Sequence, residues 1–182
     1  MAMIKVSTSV FSTIKTVERA LEKATRGDEI QLASGKYRES ITINNIVTIY
    51  GKNKGEAVLE GLIIIPKSSQ VTFKDLIIKP TGQLYVEGEA IFEDCHFSGE
   101  STAVNLSLNN GKARLINCTI EHAADIGVAL LNDSQATVKN CVFSNNGKAH
   151  VLLENSKLTI DNSELHNAKH AFWIKNNSAV EA

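Results

Sequence analysis

The side chains best suited to chemistry are histidines that recur beside acids. They are His96, Glu121, His122, Glu164, His166 and His170. A histidine next to a carboxylate can act as a general base or help hold a metal. If successive segments of the chain stack, His96, His122 and His166 come within reach of Glu93, Glu121 and Glu164. Outward strand positions need the same polar residue types without any catalysis. Asp125, in the stretch 123–126, reads equally as a turn residue and as a site acid. A metal centre would bring a Cys-x-x-Cys pair or a neighbouring histidine. His96 does follow Cys95, but alternation turns adjacent strand side chains to opposite faces. The expectation is therefore no metal and no cofactor.

The elements that must position these groups come from a repeat. Val-Thr-Phe-Lys-Asp (71–75), Ala-Ile-Phe-Glu-Asp (90–94), Ala-Arg-Leu-Ile-Asn (113–117), Ala-Thr-Val-Lys-Asn (136–140) and Leu-Thr-Ile-Asp-Asn (158–162) align, with steps of 19, 23, 23 and 22 residues. Each ends in Asp or Asn. Leu76, Cys95, Cys118, Cys141 and Ser163 follow, then Ile78, Phe97, Ile120, Phe143 and Leu165 two residues later. A period of that length marks a solenoid, clearest over 71–178. Further strands, Ala103-Val-Asn-Leu, Gly127-Val-Ala-Leu, His150-Val-Leu-Leu and Ala171-Phe-Trp-Ile, each precede an Asn/Asp/Ser turn. Three parallel strands per repeat give an all-β, single-stranded parallel β-helix. Alternation predicts Val104, Leu106, Val128, Leu130, Val151, Leu153, Phe172 and Ile174 inside. It predicts Asn105, Ala129, Leu152 and Trp173 outside.

The cysteines share one column of this solenoid. They read as buried, reduced thiols acting as small apolar groups. Stacked parallel side chains aim poorly for a disulfide. A calcium ladder would need a nonapeptide glycine-aspartate repeat, and the spacing excludes it. Stacked Asn side chains bonding along the axis explain the Asx column without a ligand. The Asn-x-Ser/Thr matches at Asn105, Asn117, Asn132 and Asn176 are by-products of those turns.

A solenoid exposes its interior at each end and needs a cover. Residues 13–26 read as an amphipathic capping helix, with Ile14, Val17, Leu21 and Ala24 on one face. Ser12 or Thr13 can start it and Gly27 can stop it. At the other end no cap is legible. The 182 residues then read as one domain, a piece of a longer chain or one whose open end meets a partner.

Composition narrows the classes. Hydrophobic residues make up 43% and aromatics only 5%, which suits a thin Val/Ile/Leu core. The net charge is −1 with scattered basic residues, against nucleic acid and against an anionic membrane surface. The apolar run 62–65 is far too short to span a bilayer. No apolar leader opens the chain, so the expected location is cytoplasmic.

One stretch carries a resemblance. Thr-Ile (13–14), Ala-Leu (20–21), Gly-Asp-Glu-Ile (27–30), Ser-Gly-Lys-Tyr-Arg-Glu-Ser-Ile-Thr-Ile (34–43) and Val-Thr-Ile-Tyr-Gly (47–51) resemble the opening of pectin methylesterases and other pectate-lyase-like right-handed β-helices. The resemblance implies the fold. It would also imply catalytic motifs such as Gln-Ala-Val-Ala, Gln-Asp-Thr, Asp-Phe-Ile-Phe-Gly and Gly-Arg-Pro-Trp, and none stands in this chain. Residues 101–106 lie near the place of the first but lack its glutamine. The Arg-x-Pro-x-x-Arg pattern of pectate lyases is absent, as are the Asn-Thr-Asp and Gly-His-Gly signatures of polygalacturonases. The chain also resembles β-helical segments fused ahead of AAA-type ATPases in Gram-positive bacteria, without a Gly-x-x-x-x-Gly-Lys-Ser/Thr loop of its own.

Ala129, Leu152 and Trp173, flanked by Leu131, are expected to form an outward apolar strip on successive rungs, a binding surface. Three functions follow. The first is a non-catalytic scaffold or interaction module, as in the N-terminal part of a larger cytoplasmic AAA-ATPase-like protein, with a protein partner or the rest of a longer chain against it. The second is a carbohydrate-binding module using Trp173. The third is a divergent polysaccharide enzyme of pectin esterase or lyase type on the His/Glu face.

Overall fold

The computed structural model describes residues 1–100 and 102–182. Its strands are short and alternate: along Lys112–Ile116 and Lys157–Asp161 every second side chain is buried. The chain winds into stacked rungs with all ladders parallel, a parallel β-helix. Its first face is a nine-stranded sheet that runs from Met3–Val6 through Glu29–Leu32, Ile46–Gly51, Gln70–Lys74, Glu89–Glu93, Lys112–Ile116, Gln135–Lys139 and Lys157–Asp161 to Ala179–Glu181. The second face stacks His96–Ser98, Thr119–Glu121, Val142–Ser144 and Glu164–His166. The third stacks Val104–Asn109, Ile126–Leu131, Ala149–Glu154 and His170–Lys175. In earlier rungs one long strand, Ala57–Ile65 or Leu76–Val86, turns the corner between second and third faces without a break. Gly61 makes that bend at φ +151°, and a Cβ there would lie 1.9 Å from the Glu39 carbonyl oxygen.

Corners explain the Asx residues. Left-handed backbone is costly for most side chains and cheap for Asn and Asp. Asp75, Asp94, Asn117, Asn140 and Asn162 all hold φ between 43° and 56° at the first corner. Asn110, Asn132, Asn155 and Asn176 do the same at the third. A further column, His122, Asn145 and Asn167, holds φ of 53–58° at the second. The amides bond along the axis: Asn140 Nδ2 donates to Asn117 Oδ1 at 3.2 Å, and Asn162 Nδ2 to Asn140 Oδ1 at 2.7 Å.

The interior is Val, Ile, Leu and stacked Phe. Phe73 and Phe92 lie parallel with centroids 5.2 Å apart. Cys95, Cys118 and Cys141 are buried, free thiols in that core. Farther along the column the side chain accepts the preceding rung's amide: Cys118 N–H points to Cys141 Sγ at 3.3 Å, and Cys141 N–H donates to Ser163 Oγ at 3.0 Å. A serine column does the same for Gly111, Ser134 and Ser156.

The capping helix is present but shorter than the pattern 13–26 suggests. Helix α1 is Val17–Lys23, capped by Thr16, whose side chain accepts from Arg19 N–H at 3.2 Å. Residues 7–14 instead close a loop, with Ser7 N–H and Ser12 Oγ both donating to the Ile14 carbonyl. The Glu39 carboxylate takes the amides of Val17 and Glu18 at 2.8 and 2.9 Å, so the first rung itself fixes where the helix begins. Val17 and Ala20 seal the core beneath. At the other end Leu165, Phe172 and Val180 pack partly on the core, and Ile174 is 50% exposed.

Alternation on the third face departs from expectation at a break in the pairing, and again at Ile174, expected inside but 50% exposed in the last rung. The ladder pairs Val104 with Ile126 and then Leu106 with Val128, so Asn105 and Gly127 fall out of the pairing. Across that break the sides exchange. Asn105, expected outside, is fully buried. Val104, expected inside, packs with Ile126, Ala129, Ala149 and Leu152 in a small second cluster separate from the main core.

Candidate functional site

On the second face, strand pairing sets Ser98, Glu121, Ser144 and His166 in one outward column, and His96, Thr119, Val142 and Glu164 in the next. His96 and Glu121 are diagonal neighbours. His96 Nε2 lies 2.6 Å from Glu121 Oε1, His122 Nδ1 lies 3.6 Å from the same oxygen, and Ser144 Oγ donates to Oε2 at 3.1 Å. Partial burial by itself would raise the Glu121 carboxyl. The hydrogen bonds from His96 and Ser144 outweigh it and hold the group below the usual carboxylate range.

His166 belongs to a different pair. Its Nε2 meets Glu164 Oε2 at 2.9 Å within one exposed strand. The Glu121 and His166 positions are two rungs apart, roughly 10 Å along the axis. The expectation that the three histidines share one site therefore resolves into a three-residue cluster, His96–Glu121–His122, and a separate pair, Glu164–His166. Asp125 pairs with Lys148 at 3.0 Å across stacked loops. Among the described residues, no three His, Cys, Asp or Glu side chains stand where they could hold a metal ion.

On the third face the predicted column exists in register: Ser107, Ala129, Leu152 and Trp173 pair in succession. Tyr85 precedes it and accepts from Asn109 Nδ2 at 2.5 Å. Its exposure departs from the expected open strip. Ala129 is 4% exposed, because the second cluster closes over it, and Leu152 and Leu131 are half-buried. Trp173 is 40% exposed. Lys175 Nζ sits 4.7 Å from its ring centroid, and the His170 ring lies 6.4 Å away. The exposed part of the expected strip thus narrows to the Trp173 end of the column. Sequence reasoning missed Ser144 and Lys175; both become visible only when positions in neighbouring rungs are set side by side.

A groove of about 390 Å³ separates α1 from residues 40–45, lined by Glu18, Glu22, Leu21 and Asn44 among others. None of the sequence-derived candidates reaches it. Among the described residues no helix is long and apolar enough to cross a membrane.

With this geometry, the comparison with known families is decisive for the fold. The family model described as "Right handed beta helix region" matches residues 39–182. The chain belongs to that family. Its helix is therefore right-handed. No curated protein matches the sequence. Among solved structures it is similar to the pectate lyase Pel9A, at 16% identity with a TM-score of 0.79, over 100% of this chain and 57% of that one. It is similar to the pectin methylesterase PemA from Erwinia chrysanthemi, at 14% identity and TM-score 0.73, over 93% and 80% respectively. An alginate lyase of family PL6, AlyGC, aligns at 10% identity and TM-score 0.52, over 99% of this chain and 40% of that one. These likenesses show a shared fold. This right-handed β-helix spans little more than half the length of the pectate lyase.

Proposed function

We propose that this chain is a non-catalytic β-helix scaffold, an interaction module that docks a partner on the third face at Trp173. The observation that carries the reading is the Trp173 ring. It is the large aromatic left exposed on an outward strand face, beside half-buried Leu152. Exposed tryptophan is favoured at binding hot spots. The candidate acids support the same reading from the other side. Glu121 is held ionised by its neighbours, whereas a general acid needs a raised value. Glu164 sits two rungs away with its own histidine. The partner in this reading is a protein or the remainder of a longer cytoplasmic chain of the AAA-ATPase-like kind. Nucleic acid and membrane are not its partners.

A polysaccharide chain is the second reading. Two facts favour it: an aromatic platform suits sugar stacking, and the similar structures include a pectin methylesterase and a pectate lyase. Calorimetric titration of the unaltered chain and of Trp173→Ala with oligosaccharides from pectin, alginate and chitin separates the two. A saturable heat that Trp173→Ala abolishes assigns the surface to sugar. A flat response to all three returns it to a protein partner. Saturable binding that survives Trp173→Ala would overturn the site itself.

A further inference from the structure

The pairing break on the third face brings three polar side chains into the interior, and one of them titrates. Asn105, Gly127 and His150 occupy equivalent places in successive rungs, outside the ladder. Asn105 and His150 are 0% and 2% exposed. Gly127 leaves a gap between them. Asn146, from the preceding loop, fills it: a Cβ at Gly127 would lie 3.0 Å from Asn146 Nδ2. Fully buried, Asn146 uses its carbonyl oxygen and both amide hydrogens. Its Oδ1 accepts from Ala123 N–H at 3.1 Å, and its Nδ2 donates to the Ile120 carbonyl at 3.1 Å and to His150 Nδ1 at 3.0 Å. The His150 ring meets Phe143 edge-on, with centroids 6.0 Å apart.

We infer that Asn146 and His150 form a pH-operated latch that pins the 145–149 loop, and Ala149 of the outer apolar cluster, to the interior of the β-helix. The latch needs a lone pair on Nδ1. A protonated imidazole carries N–H on both nitrogens, so Nδ1–H would face the Asn146 amide donors. Flipping the amide cannot restore the bonds. It would turn Oδ1 toward the Ile120 carbonyl and Nδ2 toward the Ala123 amide, two mismatches for one match. A charge left beside Phe143 is also poorly solvated.

The surroundings favour the neutral ring. Burial lowers the His150 value first; a bond to the His166 backbone opposes it, and the His166 ring charge adds to the lowering. The other charged or titratable groups on elements packed around it are Lys148 and Asp125, paired across the loops at 3.0 Å, Glu121 in the rung below, and His170, which pairs with Ala149 in the rung above. Acid therefore opens the loop, and the latch stands whether or not Trp173 binds a ligand.

Native-state hydrogen exchange tests this directly on the full chain. The amides of Ala123, Gly147 and Ala149 are bonded within the latched loops. Between about pH 7.5 and about pH 5, their protection factors should fall roughly tenfold more than that of Leu115 in the core. The His150→Gln variant keeps an acceptor for Asn146 and has no proton to gain, so its protection should not change with pH. His166→Gln should keep the response. A tenfold loss that persists in H150Q overturns the latch. So does unchanged protection in the wild type while the His150 ring, followed by NMR, becomes protonated; that readout decides the matter even if H150Q fails to fold.

Discussion

At the scale of the residue, the corner columns assign a cost to every exception. His122 stands where the same corner in the next two rungs carries Asn145 and Asn167, and Asn167 Nδ2 reaches Asn145 Oδ1 at 3.3 Å. His122→Asn keeps the left-handed backbone and extends that ladder by a bond, at the expense of an exposed contact with Glu121. Thermal unfolding should show a gain of about 0.5–1 kcal/mol. The thiol column behaves similarly. Cys141→Ser has a precedent in Ser163 and retains the acceptor for the Cys118 amide, while Cys141→Ala orphans that amide and should cost about 1–2 kcal/mol more in urea unfolding. Cys118 is also a poor nucleophile. Contact with Cys141 would lower its value, but the Cys95 thiol and burial push it up to about 12, so aromatic-disulfide reagents should leave it unmodified until the chain unfolds. Glu121 gives the pH dependence. Its folded value lies below the free carboxyl value of 4.5, so its contribution is fully present above that and fades as acid protonates it in the folded state. The stability difference between wild type and Glu121→Gln should therefore shrink as the pH falls below about 4.5, seen as converging melting temperatures.

At the scale of the element, the start of α1 is set from a distance. Glu39 lies about one rung away in sequence and accepts both Val17 and Glu18 amides. Glu39→Ala removes that cap and its favourable charge at a helix N-terminus. It should cost about 1–2 kcal/mol of stability, read by urea unfolding, with the loss concentrated in the first rung. This bond also shows where the sequence was opaque. An amphipathic pattern over 13–26 is visible, but the true start depends on a carboxylate far along the chain. The parallel rungs were legible because left-handed corners accept Asx cheaply, so Asn117, Asn140 and Asn162 print the period. The second corner was hidden because His122 breaks its Asn column. The inside and outside of the third face were misread at Val104 and Asn105, because simple alternation fails wherever a residue drops out of the pairing. The candidate site was legible as residue types only. Which histidine meets which acid depends on diagonal neighbours in adjacent rungs, and a repeat of 22 or 23 residues does not show those until the register is known.

At the scale of the molecule, the chain is an all-parallel stack of rungs. Its main core is continuous from Val6 to Ile160, sealed by α1 at one end. The exposed large apolar residues lie toward the two ends: Met1, Met3, Val10 and Phe11 near α1, Trp173 and Ile174 in a terminal rung. The family fold is shared with polysaccharide enzymes, yet fold alone does not carry function. In the proposed reading, the face of acids and imidazoles is tied into contacts between neighbours, and Trp173 is the group that engages a partner. Turnover on pectin, alginate and chitin-derived polymers, with and without Ca²⁺, is the most direct measurement of that claim. No product should appear above the level seen with Glu121→Gln. Turnover by the unaltered chain that disappears in Glu121→Gln or His96→Gln would contradict it.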